Sequence, residues 1–157
     1  MRTFWRRVLF TGLLVGTTDI TAAYINQYFR TGKFADKMLQ YIAGGALGLE
    51  RSMKGGFWVG ALGLFFHYFI AFSFTLLFFV AYPRLKFLRF NPYVVGLLFG
   101  VFASCFMSFV VLPLTPLPHG AFVLQRAVVG WLILGVVLGI PVAWSARWYY
   151  KTRYAGV

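Results

Sequence analysis

Residues 57–82 read FWVGALGLFFHYFIAFSFTLLFFVAY, the longest apolar run in the sequence. It is longer than the ~20 residues that an α-helix needs to cross a ~30 Å hydrocarbon core. It contains no Asp, Glu, Lys or Arg. Lipid accommodates such a helix directly, whereas a soluble domain would have to bury nearly all of its surface. The run therefore predicts a transmembrane helix.

Three further apolar runs of similar length cover residues 8–28, 93–114 and 122–144. Apolar residues make up 61% of the chain and charged residues 11%, against about 25% charged in a typical soluble domain. We therefore predict an all-α, polytopic membrane helix bundle with four transmembrane helices, forming a single domain over residues 1–157. The first run follows a basic segment, as a signal peptide does, but it is long and has no clean cleavage site, so we expect a retained span.

The segment between the first two runs predicts one more helix. Phe34, Met38, Tyr41, Ile42 and Leu49 recur near helical spacing, which is typical of an amphipathic helix. Its apolar part is too short to cross a bilayer. We expect segment 34–50 to lie on the outer membrane surface. The alternative is a re-entrant hairpin that packs through the glycines and alanines of residues 43–48.

The formal charge of +12 comes from 15 Lys and Arg against three acids. Most cations form clusters beside the apolar runs, at residues 2–7, 84–89 and 147–153. This is the placement expected of cytoplasmic segments that face anionic headgroups, so we expect no nucleic-acid partner. Residues 115–125 carry no cation and should lie outside, which puts both termini in the cytoplasm. Residues 30–54 conflict with this topology. They form a loop assigned to the outside, yet they carry five cations, which are expected on the cytoplasmic side.

Glycines spaced one helical turn apart allow helix backbones to approach closely in lipid. We expect them to pack the helices of one bundle against each other. On the second helix, we expect a small face ending at His67 and Ala71 to meet the first helix, and the phenylalanines at 65, 66, 69, 72, 78 and 79 to face lipid. The predicted packing glycines are Gly12, Gly16, Gly60, Gly63, Gly96, Gly100, Gly135 and Gly139.

Two ionisable side chains fall near the middle of antiparallel runs. Asp19 lies about 11 residues, or ~16 Å, into the first run, and His67 lies about ten residues, or ~15 Å, into the second run from the opposite side. An isolated charge at this depth costs ~3 kcal/mol on insertion scales, so the two side chains should pair. Arg126 enters the fourth run near its outer edge. It either extends outward to the interface or reaches inward as a third member of an ion or proton path.

The sequence contains none of the motifs that would indicate a known enzyme class. It has no paired-cysteine motif, no H-E-x-x-H helix and no G-x-S-x-G elbow. Cys105 is the only cysteine, so no internal disulfide or multi-thiolate metal site can form. His119 lies in a predicted outer loop, far from His67. We therefore expect no catalysis, no metal and no cofactor.

Residues 67–116 contain a series of features that occur together in one known family. They are His67 in a Phe-rich helix, Tyr82-Pro83 before basic Arg84–Lys86, Gly96–Gly100, Met107, Phe109 and the exit Pro113-Leu114-Thr115-Pro116. In these features the segment resembles the YagU-like bacterial inner-membrane proteins, a family without an established biochemical activity. The resemblance implies a bacterial inner membrane and a helical bundle, and it carries over no substrate.

These observations leave two functional hypotheses. One is passage of a proton or small solute through the Asp19–His67 pair, because ionisable groups within a membrane often mark such paths. The alternative is a structural or accessory subunit that fixes helix register and binds partner membrane proteins or lipids. Membrane lipids are the expected partners in both cases, together with a second copy of the chain or another membrane protein.

Overall fold

The structure is a computed structural model that describes residues 2–118 and 123–154. Seven α-helices lie within these residues, some joined by 3₁₀ or π turns. Their bounds are α1 (Arg2–Thr31), α2 (Met38–Leu47), α3 (Leu49–Met53), α4 (Phe57–Ala81), α5 (Pro92–Phe106), α6 (Leu124–Leu134) and α7 (Ile140–Tyr154).

Four helical segments are long and apolar enough to cross a membrane, which confirms the predicted fold class. They cover Thr3–Thr31, Phe57–Ala81, Pro92–Leu114 and Leu124–Thr152. The first and fourth spans extend past the predicted limits of 28 and 144 because their polar and aromatic ends remain helical. The predicted start of the fourth span at residue 122 lies outside the described residues.

The third and fourth spans each contain a π-helical turn that the sequence interpretation did not predict. These turns cover Met107–Val111, after α5, and Gly135–Gly139, between α6 and α7. Each turn ends two residues before a proline, Pro113 in one case and Pro141 in the other. A proline in a helix lacks the N–H donor and clashes with the carbonyl one turn earlier, and a widened turn relieves that clash.

The spans form a bundle in which α1 packs against both α4 and the fourth span. The third span packs against the fourth along its length. Aromatic rings bridge α4 and the third span, since Phe78 and Phe99 meet edge to face with centroids 4.8 Å apart. Phe78 and Phe79 are only 1% and 0% exposed. The expectation that these two rings face lipid is therefore wrong, because this face of the second half of α4 packs against the other spans.

The third and fourth spans approach each other closely where glycines of one face glycines of the other. A methyl group added at Gly96 would lie 2.5 Å from the Cα of Ile140, and one at Gly139 would lie 2.7 Å from the carbonyl carbon of Gly96. Gly100 and Gly135 are in similar backbone contact one turn further along. The small residues of the two spans thus allow their backbones to touch.

The glycines of α4 have a different partner from the one predicted. Gly63 lies against the backbone of Leu39 and Ala43, and Gly60 lies beside Gln40. Gly60 and Gly63 therefore pack on the short helix α2, not on α1. Gly63 is six residues after Phe57, or ~9 Å along α4, so α2 packs against the side of the second span itself.

The connection from α2 to α3 depends on one glycine. Gly48 has φ +81°, a left-handed conformation that favours glycine. Its N–H donates to the carbonyl of Gly44. Lys37 Nζ then donates to the carbonyl of Met53 at 2.9 Å, which closes the α2–α3 segment. This turn returns the chain to the start of α4.

Three basic clusters meet at one end of the bundle, here called the basic end. The guanidinium of Arg7 lies 3.8 Å above the ring of Trp148, which joins the two ends of the described chain. Arg147 donates to the carbonyl of Phe90 at 3.1 Å, beside the loop between the second and third spans. The clusters that the sequence assigns to one side of the membrane thus lie on one side of the bundle.

Candidate functional site

The candidate site lies where α1 and α4 pack most closely. Gly16 of α1 faces the ring of Tyr68 and the methyl group of Ala71, which would be 3.3 Å from an added Cβ. Gly12 faces the ring of Phe72 one turn earlier. Because these two glycines present no side chain, the α4 side chains reach the α1 backbone. This approach brings His67 to α1.

His67 makes a hydrogen bond to the backbone of α1. Its Nε2 lies 2.8 Å from the carbonyl oxygen of Gly16. A carbonyl oxygen can only accept, so Nε2 carries the hydrogen and donates it. In the neutral ring the lone pair is then on Nδ1, and a proton taken up by His67 binds there. The side chain is 12% exposed.

Asp19 lies next to His67 without being hydrogen-bonded to it. Its Oδ2 is 4.0 Å from Nε2 of His67, and its side chain is 22% exposed. At this distance the two groups form an ion pair whenever the imidazole is protonated, and the attraction is stronger in a low-dielectric surrounding than in water. Within the described residues no hydrogen-bond donor satisfies the carboxylate. The structure thus brings together the two residues that the sequence predicts to pair.

Three interhelical contacts of α1 flank this pair, and the sequence interpretation missed all of them. Hydroxyl groups on α1 make each contact. The polar run of residues 17–19 within an apolar helix was the sequence signal for two of them, and the third is made by Thr11. The contacts are Thr11 Oγ1 with Ser145 Oγ at 2.6 Å, Thr17 Oγ1 with the Tyr68 hydroxyl at 2.8 Å, and Thr18 Oγ1 with the Val137 carbonyl at 2.9 Å.

The contact of Thr18 has a specific cause in the fourth span. In a regular helix the carbonyl of Val137 would accept from the N–H of residue 141, but residue 141 is proline. The Thr18 hydroxyl lies 2.9 Å from that carbonyl and can donate to it, at a slightly shorter distance than to the Leu14 and Val15 carbonyls of its own helix. The proline that widens the fourth span therefore also provides an acceptor for α1, one residue before Asp19.

Arg126 does not join the pair. Its side chain is exposed, and it forms no hydrogen bond or ion pair with the residues that the structure describes. Its extension to the membrane interface stays a prediction. The other histidine, His119, lies outside the described residues. Over residues 2–118 and 123–154, no group of three His, Cys, Asp or Glu side chains converges as a metal site would require.

In comparisons with known proteins, no protein family, curated protein or solved structure matches this chain. The resemblance of residues 67–116 to the YagU-like proteins therefore stays a prediction from the residues quoted above.

Proposed function

We propose that this is a bacterial inner-membrane protein that passes a proton, or a small solute together with a proton, through the Asp19–His67 pair. The observation that supports the proposal is the position of Asp19. Its carboxylate lies 4.0 Å from an imidazole nitrogen, in the middle of a membrane span. It also lacks the hydrogen bonds, among described residues, that a purely structural carboxylate would be expected to have.

The chemistry of the pair is suited to proton exchange. Nε2 of His67 is engaged by the Gly16 carbonyl, so protons enter and leave the ring at Nδ1. The Asp19 carboxylate lies 4.0 Å from Nε2 and is the second group of the pair that can hold a proton. The Asp19 side chain is 22% exposed, so it is not sealed within the bundle.

A second function, that of an accessory subunit, is favoured by a separate observation. An apolar cavity of about 400 Å³ opens between α2, α4 and the third span. Its lining is almost entirely apolar and would accept a side chain of a partner helix or a lipid acyl chain. The lining includes Tyr41, Ile42, Phe66, Ile70, Met107 and Val111. In this case the Asp19–His67 pair would serve only to hold α1 and α4 together.

Proton flux in proteoliposomes tests the proposal. The purified protein is reconstituted with a trapped pH-sensitive dye, and flux is driven by a potassium diffusion potential, with and without a panel of amino acids, sugars and monovalent cations. We expect protein-dependent acidification that Asp19→Asn abolishes and His67→Gln strongly reduces. Asp36→Asn, which alters an exposed carboxylate outside the spans, is the matched control and should leave the flux unchanged.

Two further measurements separate failure of function from failure of folding. Each variant should elute as the same monodisperse species as the wild type, and Asp19→Glu should restore part of the flux by returning a carboxylate. Absence of flux in well-folded wild type under every gradient would contradict the proposal. If a membrane protein then co-purifies at a fixed ratio, the accessory function is the better explanation.

A further inference from the structure

A groove runs along the seam between α1 and α7 at the basic end. It consists of two adjoining cavities of about 730 and 330 Å³ that share three lining residues. The shared residues are Arg7, Phe10 and Trp148. Neither cavity includes Asp19 or His67, so the groove is separate from the site described above.

The mouth of the groove is basic and polar. Arg6 and Arg7 line the larger cavity together with Thr3 and Thr152. The stacking of Arg7 on Trp148 at 3.8 Å holds one guanidinium in place. Neither arginine is paired with a carboxylate of the described residues. Guanidinium groups bind phosphate oxygens in a bidentate manner, so this mouth is suited to a phosphate that carries negative charge.

The body of the groove is apolar and extends toward the middle of the bundle. Beyond Arg7 it is lined mainly by Phe10, Leu14, Pro141 and Trp144, together with Thr11 and Ser145, whose hydroxyl groups are hydrogen-bonded to each other. Phe10 is 62% exposed and Trp144 is 45% exposed, so the groove is open to the lipid side. From Thr3 to Leu14 it spans 12 residues, or ~16 Å of helix. This equals about half of a ~30 Å hydrocarbon core, the length of one lipid leaflet.

We propose that this groove binds one anionic phospholipid, with the phosphate between Arg6 and Arg7 and an acyl chain along Phe10, Leu14 and Trp144. The charge of the mouth selects an anionic headgroup over a zwitterionic one. The apolar body distinguishes a lipid from free phosphate, which would gain nothing from it. The aromatic ring of Trp148 lies at the junction, where a lipid changes from headgroup to chain.

Native mass spectrometry of the detergent-purified protein tests the proposal. Titration with phosphatidylglycerol and, separately, with phosphatidylcholine should give one tight adduct with the anionic lipid only. Arg6→Gln should weaken that adduct about fivefold, the contribution of one cation near a headgroup, and Arg6→Gln with Arg7→Gln should weaken it further. Arg7→Lys should also weaken it, because lysine lacks the planar fork.

Two controls make the result specific to the groove. Arg84→Gln with Arg89→Gln removes equal charge from the same end of the bundle outside the groove, and it should leave the tight adduct unchanged. Leu14→Trp fills the apolar part and should weaken the adduct although every charge is retained. Inorganic phosphate at millimolar concentration should not displace the lipid.

Four outcomes would overturn the proposal. Equal loss with the Arg84/Arg89 variant would mean general attraction to a basic surface. Displacement by phosphate, or no effect of Leu14→Trp, would mean an anion site without an acyl chain. Equal binding of both lipids would remove the role of the arginines. Each variant is first checked for an unchanged elution volume in phosphatidylcholine nanodiscs, so that misfolding is not read as loss of binding.

Discussion

At the scale of single residues, α1 is held by polar contacts that a hydrophobic pattern does not reveal. Spacing alone predicts that Asp19 and His67 reach the same depth, and the structure places their side chains 4.0 Å apart. The hydrogen bond of His67 goes to a backbone carbonyl of α1 instead. Every residue has a backbone carbonyl, so the sequence does not indicate which one accepts a side-chain hydrogen bond. That depends on how closely the two helices approach.

The Asp19–His67 pair predicts non-additive stability. Asp19→Asn and His67→Gln should each lower the free energy of unfolding, because removing one partner leaves the other charge partly buried and unpaired. The double variant should lose less than the sum of the two, by about 0.5–1 kcal/mol. Glutamine can still donate to the Gly16 carbonyl, so the cycle reports mainly on charge. Reversible unfolding in bicelles measures each value, and strict additivity would mean that the two groups act independently.

Thr18 and Pro141 predict a second coupling. Thr18→Val removes the donor to the Val137 carbonyl and should destabilise the bundle by ~0.6 kcal/mol, and by no more than ~1.7 kcal/mol, as measured for hydrogen bonds inside membranes. In a Pro141→Ala background the carbonyl regains a helical N–H, so the same change should cost less. The unfolding free energies of the four proteins test this, with Thr18→Ser as the control that keeps the hydroxyl. An equal cost in both backgrounds would show that Thr18 acts elsewhere.

At the scale of elements, the sequence predicts which segments are helices better than it predicts which faces meet. Gly60 and Gly63 lie on the same side of α4 as His67 in a helical projection, yet they pack against α2. Small residues indicate close approach without identifying the partner. Phe78 and Phe79 illustrate the same limit, because in lipid a phenylalanine is equally compatible with the core and with the membrane. Burial in a membrane protein therefore cannot be read from hydrophobicity.

The glycine contact between the third and fourth spans predicts a position-specific cost. Gly139→Ala would bring a methyl group 2.7 Å from the carbonyl carbon of Gly96, so the two spans must separate, at a cost of about 1–3 kcal/mol. Gly130→Ala, in α6 of the same span, is the matched control because its nearest contact is 3.9 Å away. It should be neutral or stabilising by up to ~1 kcal/mol, since alanine favours helix. Thermal unfolding in detergent distinguishes the two, and equal destabilisation would contradict the contact.

At the scale of the whole molecule, composition and run length are enough to predict the four spans, because the bilayer requires each of them to be long and apolar. The π turns in two spans were not predicted. Their signal, Pro113 and Pro141 inside apolar runs, was present in the sequence, but a proline can kink, widen or end a helix. Which of these occurs depends on whether a neighbour can supply the missing donor, as Thr18 does in the fourth span.

The distribution of charge over the molecule predicts its orientation. The contacts of Arg7 with Trp148 and of Arg147 with Phe90 gather three basic clusters at one end. Anionic lipids of the cytoplasmic leaflet and the positive-inside rule favour that end in the cytoplasm. The segment 30–54 opposes this, but two of its cations are offset by Asp36 and Glu50, and Glu50 Oε1 accepts from Lys54 at 2.6 Å.

Reporter fusions test the orientation. A fluorescent protein that folds only in the cytoplasm should be active when fused after Arg89, and alkaline phosphatase, which needs the oxidising exterior, should be active when fused after Pro118. A fusion after Gly32 checks the loop of residues 30–54, whose cations lie at the opposite end of the bundle from the three clusters. Alkaline phosphatase should therefore be active at this site. A charge-reversed variant, Arg84→Glu with Arg89→Glu, should shift part of the population toward the inverted form, since the loop between the second and third spans would then lose its attraction for the cytoplasmic leaflet. Inverted activity at both Arg89 and Pro118 would reverse the orientation, and the same side for both sites would contradict a membrane-crossing third span.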